Sequence, residues 1–352
     1  MFFVILSIVG VVGITGLGVL NLPQFGKIPS GERLERIQKS PHYQNGHFVN
    51  EHETPTMTGD KNFASSLFDF FFKKYPNAVP DSGEIPVVKT DLAKIDRKEN
   101  IIVWFGHSSY LVQAAEKRFL IDPVFHAGAP FEFIDKPFPG TDIYKPEDMP
   151  DFDILIITHD HYDHLDYKTV KPLEPRVPRV VSGLGVGSHL EYWGYPKEKI
   201  SELDWGESLD LGDGFKIHCF PTRHFSGRSV FQNRTLWASF VIETPEGNIY
   251  VGGDSGYDTH FAKIGEKFPG IDFAILENGQ YNKDWAKIHT LPDELPKVAH
   301  DLNAKRYMTV HNSKFKLSTH DWDEPLKNAQ ALREKGFDVL TPKIGEPARW
   351  KP

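Results

Sequence analysis

The chain opens on an apolar stretch. Residues 1–23 contain no charged side chain, and a helix needs about 20 such residues to cross a hydrocarbon core. We read this stretch as a single-pass membrane anchor in preference to a cleaved signal peptide. No basic residue stands ahead of it, because Met1 is followed directly by Phe2 and Phe3. Lys27, Arg33, Arg36 and Lys39 come after it. On the positive-inside rule they would put the rest of the chain on the cytoplasmic side, though the run alone does not fix the side. Residues 24–60 are polar and show no period, as a linker or surface arm does. Asn62 to Tyr75 has a helical pattern with an aromatic cluster at Phe68–Phe72. That pattern fits a helix packed on the main domain or an aromatic surface turned toward a membrane.

From about residue 99 the pattern changes. Short strand-like runs follow closely: Ile101–Phe105, Tyr110–Gln113, Phe119–Asp122, Ile154–Thr158, Arg179–Ser182, Phe215–Phe220, Leu236–Glu243, Asn248–Gly252, Phe273–Leu276 and Tyr307–Val310. Helical patterns separate them at Tyr167–Glu174, Gly185–Trp193, Asp258–Lys267, Pro292–Leu302 and Glu324–Lys335. Hairpins first and mixed units later predict two sheets with helices outside, an α/β sandwich. The chain thus divides into residues 1–23, an arm over 24–98 and one large domain over 99–352.

Composition narrows the chemistry. A net charge of -8 argues against a nucleic-acid partner, which would need a basic footprint to displace counterions. Cys219 is the only cysteine, so a disulfide within the chain and a thiolate metal cluster are both excluded. Any metal must be held by His, Asp or Glu.

The apolar run Ile154–Ile157 stops at Thr158-His159-Asp160-His161-Tyr162-Asp163-His164-Leu165-Asp166. A buried strand that ends in a polar loop puts that loop at the sheet edge, where sites usually lie. Three imidazoles and a carboxylate within six positions converge on one volume, and these are natural ligands for zinc and related ions. This His-x-His-x-Asp-His motif resembles that of the metallo-β-lactamase superfamily, with His159, His161, Asp163 and His164 filling its positions. The resemblance implies an αββα four-layer sandwich and a two-metal site completed by later loops. His224, just past Phe215–Phe220, stands where the third histidine of the first site is expected. Asp254, in Gly252-Gly253-Asp254-Ser255, fits the bridging carboxylate. His311, after Tyr307–Val310, fits the last histidine. The implied assignment is His159, His161 and His224 for one ion, Asp163, His164 and His311 for the other, and Asp254 between them. Two zinc ions suit these ligands, and iron or manganese would fit the same residues. Asp166 is expected to hold a ligand imidazole, and Asp160 to be a loop or capping residue.

Further segments resemble the phospholipase D family that hydrolyses N-acyl-phosphatidylethanolamine. They are Trp104-Phe105-Gly106-His107-Ser108-Ser109, Ile121-Asp122-Pro123, Leu203-Asp204-Trp205, Leu236-Trp237-Ala238-Ser239-Phe240, Asp254-Ser255-Gly256-Tyr257 and His289-Thr290-Leu291-Pro292-Asp293-Glu294. That resemblance runs from about residue 99 onward. It implies a phosphodiesterase releasing N-acylethanolamine and phosphatidic acid. Asp163 and Asp254 would hold the metals, and His289 would assist at the phosphate as an acid or by binding its oxygens. His107 is expected to support the site without ligating. The resemblance also implies a phospholipid or other phosphodiester substrate, a membrane surface and a homodimer. Two other readings stay open: a hydrolase of another phosphodiester or of a lactone, resembling the ascorbate-lactonase-like branch, and a membrane-anchored metal-binding scaffold without activity.

Overall fold

The computed structural model describes residues 18–59, 65, 68–69, 72–73 and 75–351. Most of the 1–23 run and most of the 62–75 helical pattern lie outside these residues. Among the described residues, no helix is long and apolar enough to cross a membrane. Phe68 and Phe72 are exposed, with ring centroids 4.9 Å apart.

Two seven-stranded sheets face each other. The first contains β3 (Ile101–Trp104), β4 (Tyr110–Ala114), β5 (Lys117–Ile121), β6 (Ile154–Ile157), β7 (Val180–Gly183), β8 (Ile200–Leu203) and β16 (Pro347–Arg349), in the order β16-β3-β4-β5-β6-β7-β8. The second contains β9 (Ser208–Gly212), β10 (Phe215–Phe220), β11 (Ser239–Thr244), β12 (Gly247–Val251), β13 (Phe273–Glu277), β14 (Arg306–Val310) and β15 (Val339–Leu340), in the order β15-β14-β13-β12-β11-β10-β9. Each sheet has an antiparallel half and a parallel half. β3, β4 and β5 pair antiparallel, and β5 to β8 run parallel. β9 to β12 pair antiparallel, and β12 to β15 run parallel.

The side-chain period of two splits each strand between two cores. On β6, Ile154 and Ile156 face the inter-sheet core, while Leu155 and Ile157 face outward. On β13, Phe273 and Ile275 point in, and Ala274 and Leu276 point out. Both faces are covered, so the inner strands read as continuous apolar runs and not as alternations. Outside the first sheet, α2 (Tyr167–Leu173) and α3 (Gly187–Tyr192) supply Val170, Leu173 and Leu190. Outside the second sheet, α4 (His260–Lys267), α5 (Leu295–Leu302) and α6 (Glu324–Glu334) supply Ile264, Val298 and Leu332. The architecture is the αββα sandwich. Cys219 is buried in the inter-sheet core.

The arm differs from the reading of residues 24–60 as an element without a period. It contains the helix α1 (Gly31–Ile37) and a hairpin of β1 (Tyr43–Gln44) and β2 (His47–Phe48). Ile37 and Phe48 are fully buried in the main core.

Candidate metal centre

The polar residues gather where strands of both sheets end. His159, His161, Asp163 and His164 lie in the loop after β6, and His224 follows β10. Asp254 follows β12, and His311 follows β14. His289 stands in the loop before α5. The second sheet reaches Asp254 through Gly252 and Gly253. Gly253 has φ +62, and a Cβ there would lie 2.9 Å from the Ala238 carbonyl. The same Cβ would lie 3.1 Å from Thr158 Cβ at the end of the first sheet, so a side chain at that position would push the carboxylate loop away from both.

These side chains form overlapping clusters whose ligand atoms lie within 4.8 Å of one another: His159, His161 and His224; His159, His164 and Asp254; and Asp163, His164 and His311 with His107. Asp254 is central. Its Oδ2 is 3.8 Å from His159 Nε2 and 3.7 Å from His224 Nε2, and its Oδ1 is 3.1 Å from His164 Nε2 and 3.2 Å from His311 Nδ1. His164 Nε2 and Asp254 Oδ1 are nonetheless buried and make no hydrogen bond. Two buried polar atoms that approach without bonding would be costly in a sealed core. They fit a shared cation, which would satisfy both.

A second layer holds these side chains in place. Asp122, at the end of β5, lies 2.8 Å from His164 Nδ1 and accepts from the backbone N and hydroxyl of Thr158. The Ile288 carbonyl lies 2.7 Å from His224 Nδ1. Ser108 Oγ is 3.0 Å from His311 Nδ1, and His107 Nε2 is 2.8 Å from Asp163 Oδ2. His107, Asp122 and His311 all have positive φ, at 52, 39 and 70. Left-handed backbone at non-glycine residues costs energy and collects where a structure over-determines a site. The expectation that Asp166 holds a ligand imidazole does not match. Asp166 caps α2 through Lys168 N and bonds Thr169 Oγ1 and His126 Nδ1, and the ligand-holding carboxylate is Asp122. Asp160 ties loops together, accepting from Gly227 N and Thr235 Oγ1 and facing His189 Nε2 at 3.1 Å.

Glu277 is a residue the sequence reading passed over. It ends β13, is buried, and sets Oε1 2.5 Å from His289 Nδ1. Its other oxygen accepts from Ser255 N. This leaves His289 Nε2 for the cavity beside His224 and Asp254. Glu277 sits in a run of apolar strand residues, so its only signal in the sequence was a charged residue at a buried strand end.

Electrostatics in the cluster split the imidazoles. Burial, reinforced by the neighbouring histidines, pushes His159, His224 and His311 well below the usual range, and burial takes His161 to about 4. They are neutral near pH 7, as metal ligation requires. For His164, burial works the same way but is outweighed by the carboxylates of Asp254, Asp163 and Asp122, and its pKa rises. Burial lifts Asp254 to about 6. The site opens to solvent through a cavity of about 300 Å³. His161, Asp163, His224, Asp254, His289 and His311 form its floor.

Residues 117–312 match the family described as Beta-lactamase superfamily domain. The chain is 34% identical over 311 residues to an uncharacterised protein of Mycobacterium tuberculosis (strain ATCC 25618 / H37Rv), covering 84% of this chain and 81% of that protein. It is 31% identical over 266 residues to the N-acyl-phosphatidylethanolamine-hydrolyzing phospholipase D 1 of Caenorhabditis elegans, covering 69% of this chain and 74% of that enzyme. In fold it is similar to Igni18, a metallo hydrolase of Ignicoccus hospitalis. The TM-score is 0.54 at 18% identity, over 70% of this chain and 97% of Igni18.

Proposed function

The chain belongs to the metallo-β-lactamase superfamily and is a metal-dependent hydrolase of that fold, and from that premise we propose that it is a two-zinc phosphodiesterase of phospholipase D type. Its substrate in this reading is N-acyl-phosphatidylethanolamine, cleaved to N-acylethanolamine and phosphatidic acid. The observation that carries the reading is the Glu277–His289 pair on the cavity floor, beside the ligand cluster. Hydrolysis at phosphorus calls for a proton donor at the leaving oxygen, and this pair supplies one. The likeness to the Caenorhabditis elegans enzyme supports the choice of lipid.

In this reading His159, His161 and His224 hold one ion, Asp163, His164 and His311 the other, and Asp254 lies between. When bound, the ions would supply Lewis acidity, lowering the pKa of a water and stabilising negative charge on the attacked phosphoryl centre. Asp122 and the Ile288 carbonyl fix the tautomers of His164 and His224 by occupying their Nδ1 atoms. Glu277 accepts from His289 Nδ1–H in the same way, so a proton released by the attacking water and taken up at Nε2 makes an imidazolium that the carboxylate stabilises, and Nε2 gives that proton to the departing alkoxide oxygen.

The test is turnover of N-acyl-phosphatidylethanolamine in mixed micelles, beside phosphatidylcholine and an aryl phosphodiester, with bound metal measured on the same protein. We expect N-acylethanolamine to be released, and release to be lost on chelation and in Asp254→Asn. Turnover of the aryl diester alone would remove the lipid. Metal-loaded protein that cleaves no phosphodiester would remove the phosphodiesterase.

A further inference from the structure

The cavity above the metal floor has one wall from outside the residues that match the family. Thr56 and Met57 line it, and both precede residue 117, where the match begins. They reach the site because residues 50–59 are stitched across the strand ends of the second sheet. Asn50 clasps the backbone of His224 from both sides: its Nδ2 donates to the His224 carbonyl at 2.8 Å, and its Oδ1 accepts from His224 N at 3.2 Å. Trp237 Nε1 donates to the same oxygen at 3.1 Å. Arg223 then donates to the Glu53 carbonyl at 2.7 Å and to Thr54 Oγ1 at 3.0 Å. Thr58 closes the seam. Its N donates to the Asp284 carbonyl at 2.7 Å, and its hydroxyl accepts from Ala286 N at 2.9 Å. Gly59 lies so close to Asp284 that a Cβ would sit 3.1 Å from its Cα.

This seam sets Met57 on the cavity with Phe225, Trp285, Ile288 and Leu317. Four of these five are only half-buried, and Ile288 is buried. An apolar wall left open to water beside a polar floor is a poor arrangement for the protein alone. It suits a ligand with one charged end and one hydrocarbon end. We propose that residues 50–59 are part of the active site, and that Met57 and the apolar residues lining the cavity with it form a subsite for a hydrocarbon chain attached to the group at the metal floor. The inference rests on the phosphodiesterase reading and deepens it, since the wall selects substrates by the chain they carry.

The experiment is calorimetric binding of a series of n-alkylphosphonates, from methyl to dodecyl, to the metal-loaded full chain. The phosphonate is the probe for the floor and the alkyl group is the probe for the wall. Burying each methylene should tighten binding roughly fourfold, until the chain leaves the wall. Met57→Glu should flatten that slope, and Trp285→Ala, which removes a second apolar lining residue, should reduce it. The slope within each variant is read against its own methylphosphonate affinity, with bound metal and thermal midpoint measured alongside. Methylphosphonate binding with no gain for longer chains would overturn the subsite and leave the phosphodiesterase reading standing. An equal slope in wild type and both variants would place the chain elsewhere and remove these residues from the site. No binding of any phosphonate would remove the phosphoryl reading and the subsite together.

Discussion

Single side chains decide how the centre is tuned. Glu277 holds His289 by one oxygen and the Ser255 backbone by the other. Glu277→Gln keeps the shape but places a carboxamide where two donors now meet a carboxylate. We expect kcat on the best phosphodiester to fall by about 10- to 100-fold, the usual scale for such supporting partners. Bound metal and KM should change little, and a parallel loss of metal would give Glu277 a ligand's role instead. The metal-free protein should also be acid-labile. Burial lowers His161 and His107 to about 4 from an ordinary 6.5. A folded-state pKa below the unfolded one contributes stability that is present above pH 6.5 and lost as pH falls toward 4. Chelated protein should therefore lose thermal stability between pH 6.5 and 4. A midpoint flat across that window would contradict the neutral, buried state of these rings. The clustering of His159, His161, Asp163 and His164 was legible in the sequence because the dense motif after Ile157 leaves few other uses for them, whereas His224, Asp254 and His311, which the structure brings to the same place, were placed by the family resemblance. Asp122 and Glu277 were not, because a lone carboxylate at a strand end looks the same whether it holds an imidazole or meets solvent.

Among the elements, the inner strands and the five outer helices of the main domain were legible from their apolar runs and periods. The strands that went unread are β8, β9, β15 and β16, which lie at the sheet edges. On β9 burial alternates between exposed and intermediate, so polar residues break the run that would mark a strand. The arm was opaque for a related reason. Its first part, residues 24–59, is tied to the main domain by polar bonds whose partners are more than 150 positions away in sequence. The loop carrying Asp160 shows the pattern. Asp160 anchors Gly227 and Thr235 and faces His189, which in turn accepts from Lys27 N. Arg228 donates to the carbonyls of Asp160 and Leu165, and also to that of Gln24. The metal loop and the start of the arm are thereby one braced unit. Asp160→Ala would leave the buried His189 ring, the Gly227 N–H and the Thr235 hydroxyl without their shared carboxylate while keeping the carbonyl that Arg228 bonds, a change that costs about 3 kcal/mol. Urea unfolding should show that loss as a lower midpoint at unchanged slope. A loss below 1 kcal/mol would mean that the loops hold their places without Asp160.

At the scale of the molecule, the candidate metal-holding residues come from both sheets. His159, His161, Asp163 and His164 follow a strand of the first sheet, and His224, Asp254 and His311 follow strands of the second. A cation shared by these groups is a cross-link between the two halves of the sandwich at one edge. The apolar core already joins the sheets, so the fold should survive chelation, but at a cost set by linkage. A ligand that binds only the folded state and is present at about 1,000 times its Kd adds about 4 kcal/mol. Spread over the unfolding entropy of a chain of 352 residues, this amounts to roughly 5 °C in the midpoint for each such site. Removing metal with a chelator should therefore lower the midpoint by at least that much, and returning zinc should restore it in proportion to the logarithm of its free concentration. The same titration on Asp254→Asn separates a cross-link from simple surface binding. If the carboxylate joins the two sites, that variant should start near the chelated midpoint and recover little with zinc. Full recovery would mean that each sheet holds its own ion and that the halves are joined by the apolar core alone.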